Sequence, residues 1–248
     1  MKHLKLFTIE GLPLMWSLYF LFESITGRVT DSETVIANLL LIILFAFTGY
    51  IVYVLSLRNL NGIPLKILFL FFSILILVDQ GIKLVIKFFF FNERFEIFPN
   101  ILSFHPIINT DGSWLNARFG TSVSFPLLIF SNIIFLFLIV ELFRYFVSNG
   151  NKTFWSDMAF VFLFCGALGS LIDKVFYGGS LDFIGISNLF IADIKDIYIN
   201  LGLYFFLLGS YSSGYLTSDD SSSFKDDMKY LKKFLLFMKT DLTHLLKR

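Results

Sequence analysis

Long apolar segments are the feature that most constrains the fold of this 248-residue chain. A helix needs about 20 mostly apolar residues to cross the hydrocarbon core of a bilayer. Charged residues make up only 16% of the chain, whereas a soluble domain contains about 25%. The sequence therefore predicts an all-α integral membrane protein, with apolar helices at residues 6–26, 35–57, 65–91, 124–147, 157–177 and 195–216.

The first of these segments leaves the number of spans open, because it carries Glu10 and Glu23. It either crosses the bilayer or lies in the interface. The sequence thus predicts one or two extra N-terminal spans within residues 1–60 and a four-span helix bundle within residues 61–216. A polar linker and a basic amphipathic helix are expected in residues 217–248.

Loop charges predict the orientation, since lysine and arginine favour the cytoplasmic side of a membrane. Basic residues are frequent in the C-terminal tail, and they also flank two turns, at Arg58, Lys66, Arg144 and Lys152. The loops 92–123 and 178–194 are then expected to share the outer face. The apolar side of the tail helix suits an anionic inner leaflet, and it is formed by Leu231, Phe234, Leu235, Met238, Leu242, Leu245 and Leu246.

Charged side chains inside the apolar segments need an explanation, because a charge at the bilayer centre costs roughly 2.5–3.5 kcal/mol or more. Asp79 and Lys83 lie one helical turn apart, so they can form an ion pair of structural or functional importance. Asp173 and Lys174 are adjacent and point in different directions, so each needs its own partner. Beside them lie small residues that let two helices approach closely, namely Gly166, Ala167, Gly169 and Ser170.

Further carboxylates lie where the last apolar segment begins. Helix capping explains acids at Asp193 and Asp196, but it does not explain Asp182, which follows two glycines and precedes an apolar run. If Asp182 and Asp196 face each other in a site of low dielectric, the pair holds a single proton. Such a pair can activate water and protonate a leaving amine.

Other kinds of chemistry find little support in the sequence. The three histidines lack metal-binding spacing and Cys165 is the single cysteine, so neither a metal nor another cofactor is expected. The net charge of +1 gives no reason to expect a nucleic-acid partner.

Together these residues resemble the lipoprotein signal peptidases (signal peptidase II), as a divergent member. The first core span of that family contains an Asp-x-x-x-Lys motif, which Asp79 and Lys83 match. An outer loop of the family carries an Asn and a Gly, which Asn109 and Gly112 match. The same loop of this chain adds two supporting candidates, Asn116 and Arg118.

Two further motifs carry the resemblance. The family's GGALGN-x-x-DR run is matched by CGALGSLIDK, in which Ser170 replaces Asn and Lys174 replaces Arg. Eight residues after this basic residue the family has a catalytic Asp followed by Phe, which Asp182 matches. The second catalytic Asp of the family lies six residues before a Gly, a spacing that Asp196 and Gly202 keep.

The resemblance implies an aspartic endopeptidase in which Asp182 and Asp196 form the catalytic pair, with Asp193 as the alternative second acid. Asp193 and Lys195 stand where the family has Asn and Ala, and Lys195 is expected to lower the pKa of a neighbouring acid. The implied supporting residues orient the pair, the substrate or the surrounding helices, and they are Asp79, Lys83, Asn109, Gly112, Asn116, Arg118, Gly166, Ser170, Asp173, Lys174 and Asp193.

The implied substrate is a diacylglyceryl-modified prolipoprotein, cut before its lipidated cysteine at the outer face of a bacterial cytoplasmic membrane, so membrane lipid is a second expected partner. Two other hypotheses stay open. One is an ion-coupled transporter that uses the intramembrane acids as a relay. The other is a non-catalytic relative that binds acylated peptides without cutting them.

Overall fold

The computed structural model describes residues 2–99, 101–111, 123–186, 189–213 and 224–245. Its described part is a helical bundle with a small sheet at one end. A single turn of π-helix, Ile86–Phe90, extends the third helix. The α-helices are α1 (Lys2–Ile25), α2 (Ser32–Arg58), α3 (Leu65–Val85), α4 (Phe125–Ser148), α5 (Phe154–Phe176), α6 (Ile194–Ser212) and α7 (Phe224–Leu245).

Among the described residues, five helices are long and apolar enough to cross a membrane: α1, α2, α3 with its π-helical turn, α4 and α5. The prediction of a helical, multi-pass membrane protein is therefore confirmed. The first segment, whose role was open, forms a helix that meets the requirement of about 20 residues. Helix α6 is shorter, at 19 residues, and is not among the five.

Helix α5 lies at the centre of the bundle and packs against α3, α4 and α6. It runs antiparallel to α6, and glycines set the distance between the two helices. A Cβ atom added to Gly166 would lie 2.5 Å from Cγ1 of Ile199, and one added to Gly202 would lie 2.7 Å from Cγ of Leu163. The predicted use of small residues for close helix approach is thus confirmed.

The two N-terminal helices form a hairpin that packs on α6. Asp31 caps α2 by accepting a hydrogen bond from the backbone N–H of Thr34. The Tyr204 hydroxyl of α6 donates to the carbonyl of Thr8 in α1. Helix α2 comes so near to α1 that a Cβ atom on Gly49 would lie 2.5 Å from that same Thr8 oxygen. The N-terminal pair is therefore joined to the bundle through α1.

The sheet was not predicted, since residues 92–123 and 178–194 were treated as loops. Its four strands are antiparallel in the order β1 (Phe95–Phe98), β2 (Leu102–Asn109), β3 (Ser180–Ile186) and β4 (Phe190–Ala192). Strand β2 pairs with β3, which brings the two predicted loops to the same end of the bundle. The β2–β3 register shifts between Phe104 and Ile107, where Pro106 has no N–H to donate.

The α1–α2 turn reaches the hairpin formed by β3 and β4. Arg28 in that turn donates a hydrogen bond to the carbonyl of Leu189. The rings of Trp16 and Tyr19 in α1 lie 6.3 Å and 5.6 Å from the ring of Phe190 in β4. The N-terminal hairpin therefore contacts the sheet as well as α6.

The two basic turns meet at the opposite end of the bundle. Lys152 Nζ, just before α5, donates to the carbonyl of Ile63 at 2.6 Å and pairs with Asp157 Oδ2 at 2.5 Å. The carboxylate of Asp157 also accepts the backbone N–H of Ile63. This network ties the α2–α3 turn to the start of α5.

The tail helix α7 lies against α4. The rings of Phe234 and Phe237 lie 5.5 Å and 5.3 Å from the ring of Tyr145, and Arg144 pairs with Asp241 at 2.7 Å. Leu231, Leu235 and Leu242 remain exposed. An amphipathic tail helix was predicted, and in the structure part of its apolar side packs against α4.

Replacing Gly49 by alanine should destabilise the N-terminal hairpin by about 1–3 kcal/mol, because the new methyl group would press on the α1 backbone. Gly81→Ala in α3 is the matched control, since a Cβ there meets no atom within 4 Å; it should be neutral or gain up to about 1 kcal/mol in helix propensity. Thermal unfolding in detergent measures both, and equal melting temperatures for the two variants would contradict the packing described here.

Candidate active site

Strand β3 carries Asp182 into the interior of the molecule. Helix α5 ends at a turn in which Gly178 has a φ of +68°, a conformation that glycine adopts without strain. The strand that follows is buried on both faces near its start, and Asp182 is only 4% exposed. Its Oδ2 atom accepts a hydrogen bond from Asn109 Nδ2 at 2.9 Å, and its Oδ1 atom accepts one from Ser180 Oγ.

The first turn of α6 carries Asp193 and Asp196. Asp193 is the N-cap, and the two residues form a reciprocal capping box: Asp193 Oδ1 accepts from the Asp196 N–H at 3.2 Å, and Asp196 Oδ2 accepts from the Asp193 N–H at 3.1 Å. The capping role expected from the sequence is therefore present. The two side chains differ in access, since that of Asp193 is fully buried and that of Asp196 is 43% exposed.

The three acids converge at the end of the bundle that bears the sheet. One carboxylate oxygen from each of Asp182, Asp193 and Asp196 lies within 4.8 Å of the other two. Such a cluster of oxygens could surround a cation. The chain itself supplies one, because Lys195 Nζ lies 2.6 Å from Asp193 Oδ2, and 3.6 Å and 3.9 Å from an oxygen of Asp182 and Asp196.

The Lys83 ammonium group pairs with three carboxylates, one of which belongs to this cluster. Its fully buried Nζ atom lies 3.1 Å from Asp79 Oδ1, 2.7 Å from Asp173 Oδ2 and 2.6 Å from Asp193 Oδ2. The sequence predicted the pair with Asp79. It did not predict that the same ammonium would reach Asp173 of α5 and Asp193 at the start of α6.

The remaining predicted residues either lie in α5 or fall outside the described part of the chain. Lys174 Nζ donates to Ser170 Oγ at 2.6 Å, so a hydroxyl is its hydrogen-bond partner among the residues that the structure describes. Gly169 leaves room for the charged cluster, since a Cβ atom there would lie 2.9 Å from Asp79 Oδ2 and 3.5 Å from Lys195 Cβ. Three predicted residues lie outside the described part of the chain: Gly112, Asn116 and Arg118.

Sequence reasoning missed two polar side chains of the cluster. Ser180 lies two residues before Asp182, so the two share a face of β3, and it is this spacing that could have identified it. Gln80 donates to Asp79 Oδ2 at 2.8 Å and to Asp173 Oδ1 at 3.3 Å. A glutamine beside a buried acid gives a weaker signal, because adjacent residues on a helix diverge.

The surroundings of Asp182 and Asp193 shift the pKa values of these two residues in opposite directions. Burial raises the pKa of Asp182 above its ordinary value, although the Lys195 ammonium and the hydrogen bonds from Ser180 and Asn109 offset part of this effect. Burial acts in the same direction on Asp193, but the ammonium groups of Lys195 and Lys83 outweigh it and hold the pKa of Asp193 below its ordinary value. Asp193 therefore gives up its proton more readily than Asp182 does.

The comparisons with known proteins agree with this arrangement of motifs. The pattern of the family described as signal peptidase (SPase) II matches residues 71–212, which is more than half of the chain. The chain belongs to the signal peptidase II family. The resemblance read from the motifs is thereby confirmed, and the family identifies the chain as a peptidase.

Individual relatives show the same relationship. The chain is 27% identical over 125 residues to a lipoprotein signal peptidase of Microcystis aeruginosa, covering 48% of this chain and 74% of the relative. It is 24% identical over 142 residues to one of Staphylococcus haemolyticus, covering 54% and 84%. A solved structure of a bacterial membrane enzyme has the same fold, with a TM-score of 0.54, 20% identity, and coverage of 66% of this chain and 99% of that one.

Replacing Lys83 by methionine should destabilise the protein by about 3–5 kcal/mol, because three buried carboxylates would lose their shared cation. Asp193, whose pKa is held low in the folded state, contributes stability that is present above the ordinary carboxyl pKa of about 3.9 and is lost as the pH falls. In the Lys83→Met variant the pKa of Asp193 rises, so this carboxyl group becomes protonated and uncharged at a higher pH than in wild type. The loss of unfolding free energy relative to wild type should therefore be largest near neutral pH and smaller in acid.

Unfolding midpoints in detergent at about pH 8 and about pH 5 would measure this difference across the range in which raised carboxyl pKa values fall. Lys66→Met is the control, since Lys66 is an exposed lysine at the start of the same helix, and its stability should match wild type at both values. A Lys83→Met deficit that is absent, or that does not change with pH, would contradict the assigned role of the ammonium.

Proposed function

We propose that this chain is an intramembrane aspartic endopeptidase that removes the signal peptide from prolipoproteins. The observation that carries the proposal is the approach of the Asp182 and Asp196 carboxylates to within 4.8 Å, at the end of a membrane helix bundle. Like charges this close to each other disfavour ionisation of both carboxyl groups, so the pair shares one proton. That state combines a general base and a general acid in one site.

The two acids act in sequence on the scissile bond. The ionised member takes a proton from water as the water attacks the peptide carbonyl, and the protonated member gives its proton to the departing nitrogen. Asn109 supports Asp182 by donating to its Oδ2 atom at 2.9 Å. This hydrogen bond fixes the orientation of the carboxylate and leaves the other oxygen beside Ser180.

Asp196 is the second acid of the proposed pair, and Asp193 supports it. The Asp193 side chain is fully buried, and its Oδ2 atom lies 2.6 Å from both Lys83 and Lys195. A carboxylate held between two ammonium groups is a poor base and has no access to a substrate. The Asp196 side chain is 43% exposed, so water and a peptide bond can reach it.

The substrate class follows from the family and from the apolar exterior. The two relatives compared above are lipoprotein signal peptidases, so the proposed substrate is a prolipoprotein that carries a diacylglyceryl group, cut before the modified cysteine. Helices α3 and α4 both pack on α5 and expose large apolar side chains, among them Phe69, Leu77, Phe130 and Ile133. Surfaces of this kind suit acyl chains and a helical signal peptide that arrive through the lipid.

The proposed location is a bacterial cytoplasmic membrane, with the active site near the outer face. The basic turns that contain Arg58 and Lys152 lie at the end of the bundle opposite the sheet, where Lys152 contacts Ile63. Because basic turns favour the cytoplasm, the sheet and the carboxylate pair belong to the outer end. Signal peptides are cut at that surface.

Purified protein in lipid should cleave a diacylglyceryl-modified prolipoprotein, and mass spectrometry of the released peptide should place the cut before the lipidated cysteine. Asp182→Asn and Asp196→Asn should each lower the rate by about 10²–10⁴-fold or more, because each removes one half of the acid–base pair. Asp31→Asn is the matched control, because asparagine caps α2 as well as aspartate does, and it should retain wild-type activity.

Three outcomes would change this proposal. Loss of activity in Asp193→Asn together with an active Asp196→Asn variant would make Asp193 the second acid. Full activity of Asp182→Asn would exclude the aspartic mechanism. Binding of the lipidated substrate by folded wild-type protein, without cleavage, would indicate a non-catalytic relative.

A further inference from the structure

Lys195 is the least expected member of the site, because a lysine stands where the signal peptidase II resemblance leads one to expect alanine. Its side chain is 6% exposed and points into the carboxylate cluster. The Nζ atom lies 3.6 Å from Asp182 Oδ1 and 3.9 Å from Asp196 Oδ1. A single ammonium therefore lies beside both members of the proposed catalytic pair.

The contacts of Lys195 fix this ammonium in place. It lies 2.6 Å from Asp193 Oδ2 and 3.5 Å from Asp173 Oδ2, and it also donates to Ser180 Oγ. Gly169 of α5 provides the space, since a Cβ atom there would lie 3.5 Å from Lys195 Cβ. The stem of the lysine is thus packed between α5 and α6, and its charged end is bound by acceptors from three elements.

The charged groups around Lys195 indicate which carboxylates its ammonium group stabilises. Lys83 is already bound by Asp79, Asp173 and Asp193. Among the ammonium groups of the described residues, Lys195 is the one within 4 Å of Asp182 and of Asp196. The charged groups that face it are Asp193 and Asp196 from the start of α6, Asp182 from β3, Asp173 and Lys174 from α5, and Lys83 from α3.

We propose that Lys195 is a positioning residue whose ammonium group sets the pH range in which the Asp182–Asp196 pair holds a single proton and works. This inference rests on the proposed function. A nearby positive charge favours the ionised form of a carboxyl group, and here it acts on both members of the pair. The pair therefore keeps one ionised member at lower pH than it would beside an apolar side chain.

The contact between Lys195 and Ser180 also resembles a serine–lysine arrangement, in which the serine would be the nucleophile. In some hydrolases a lysine takes the proton of a serine that attacks the substrate. That step needs a neutral lysine, and an ammonium surrounded by Asp173, Asp182 and Asp193 keeps its proton. The geometry therefore favours the positioning role, and Ser180→Ala separates the two: it should retain substantial cleavage if Ser180 only supports the carboxylate.

The test compares the pH dependence of cleavage in wild type and Lys195→Met, which keeps the length of the side chain and removes its charge. We expect the whole profile to move to higher pH by about one pH unit or more, with the maximal kcat within about tenfold of wild type, since both acids remain. Lys195→Arg should restore the wild-type position. Lys87→Met is the control, because Lys87 lies over the Tyr177 ring at the same end of the bundle.

Infrared titration of the protonated carboxyl band gives a second readout that needs no catalysis. The part of the band that disappears in Asp182→Asn should develop at higher pH in Lys195→Met than in wild type. If wild type does not cleave but this shift is present, the proposed function fails, whereas the effect of Lys195 on the protonation of the pair is supported. Lys195→Ala, which matches the residue expected from the family resemblance, provides the same comparison if the methionine variant does not fold.

Two results would overturn the inference. The first is a Lys195→Met profile that is lower at every pH but unshifted, with an unshifted carboxyl band, which would indicate a purely structural lysine. The second is complete loss of cleavage in folded Ser180→Ala and Lys195→Met proteins, which would indicate a serine–lysine mechanism.

Discussion

The structure depends on one buried ammonium group. Lys83 of α3 is bound by Asp79 in its own helix, by Asp173 of α5 and by Asp193 at the start of α6. Buried charges are tolerated only when they are paired, so these contacts fix three helices relative to one another. Because Asp193 is also the N-cap of α6, the same ammonium fixes where that helix begins and hence where Asp196 lies.

The second constraint is the pairing of β2 with β3, which positions the other half of the site. The register places Asn109 opposite Ser180, so an amide from one strand reaches the Asp182 carboxylate of the next. The two acids of the pair thus come from different kinds of element, a strand and a helix. The short β4 strand and the turn before it connect them, and this connection is in turn contacted by Arg28 from the N-terminal hairpin.

The family core and the additional elements are distinct in this chain. The signal peptidase II pattern covers residues 71–212, and the solved bacterial membrane enzyme is matched over 99% of its own length by 66% of this chain. Helices α1, α2 and α7 lie outside residues 71–212. They are not isolated additions, because α1 binds α6 through Tyr204 and α7 binds α4 through Arg144.

The sequence by itself determined the features that depend on local spacing. Helix length, the Asp79–Lys83 pair one turn apart and the capping acids of α6 are properties of consecutive residues, and they could be predicted. The tertiary structure decided the rest: the bond from Lys83 to Asp173 joins residues 90 positions apart, and the Asn109–Asp182 bond requires a strand pairing that no local pattern indicated. Such contacts depend on how helices and strands pack, so the position of Lys195 between the two acids became visible only in the folded chain.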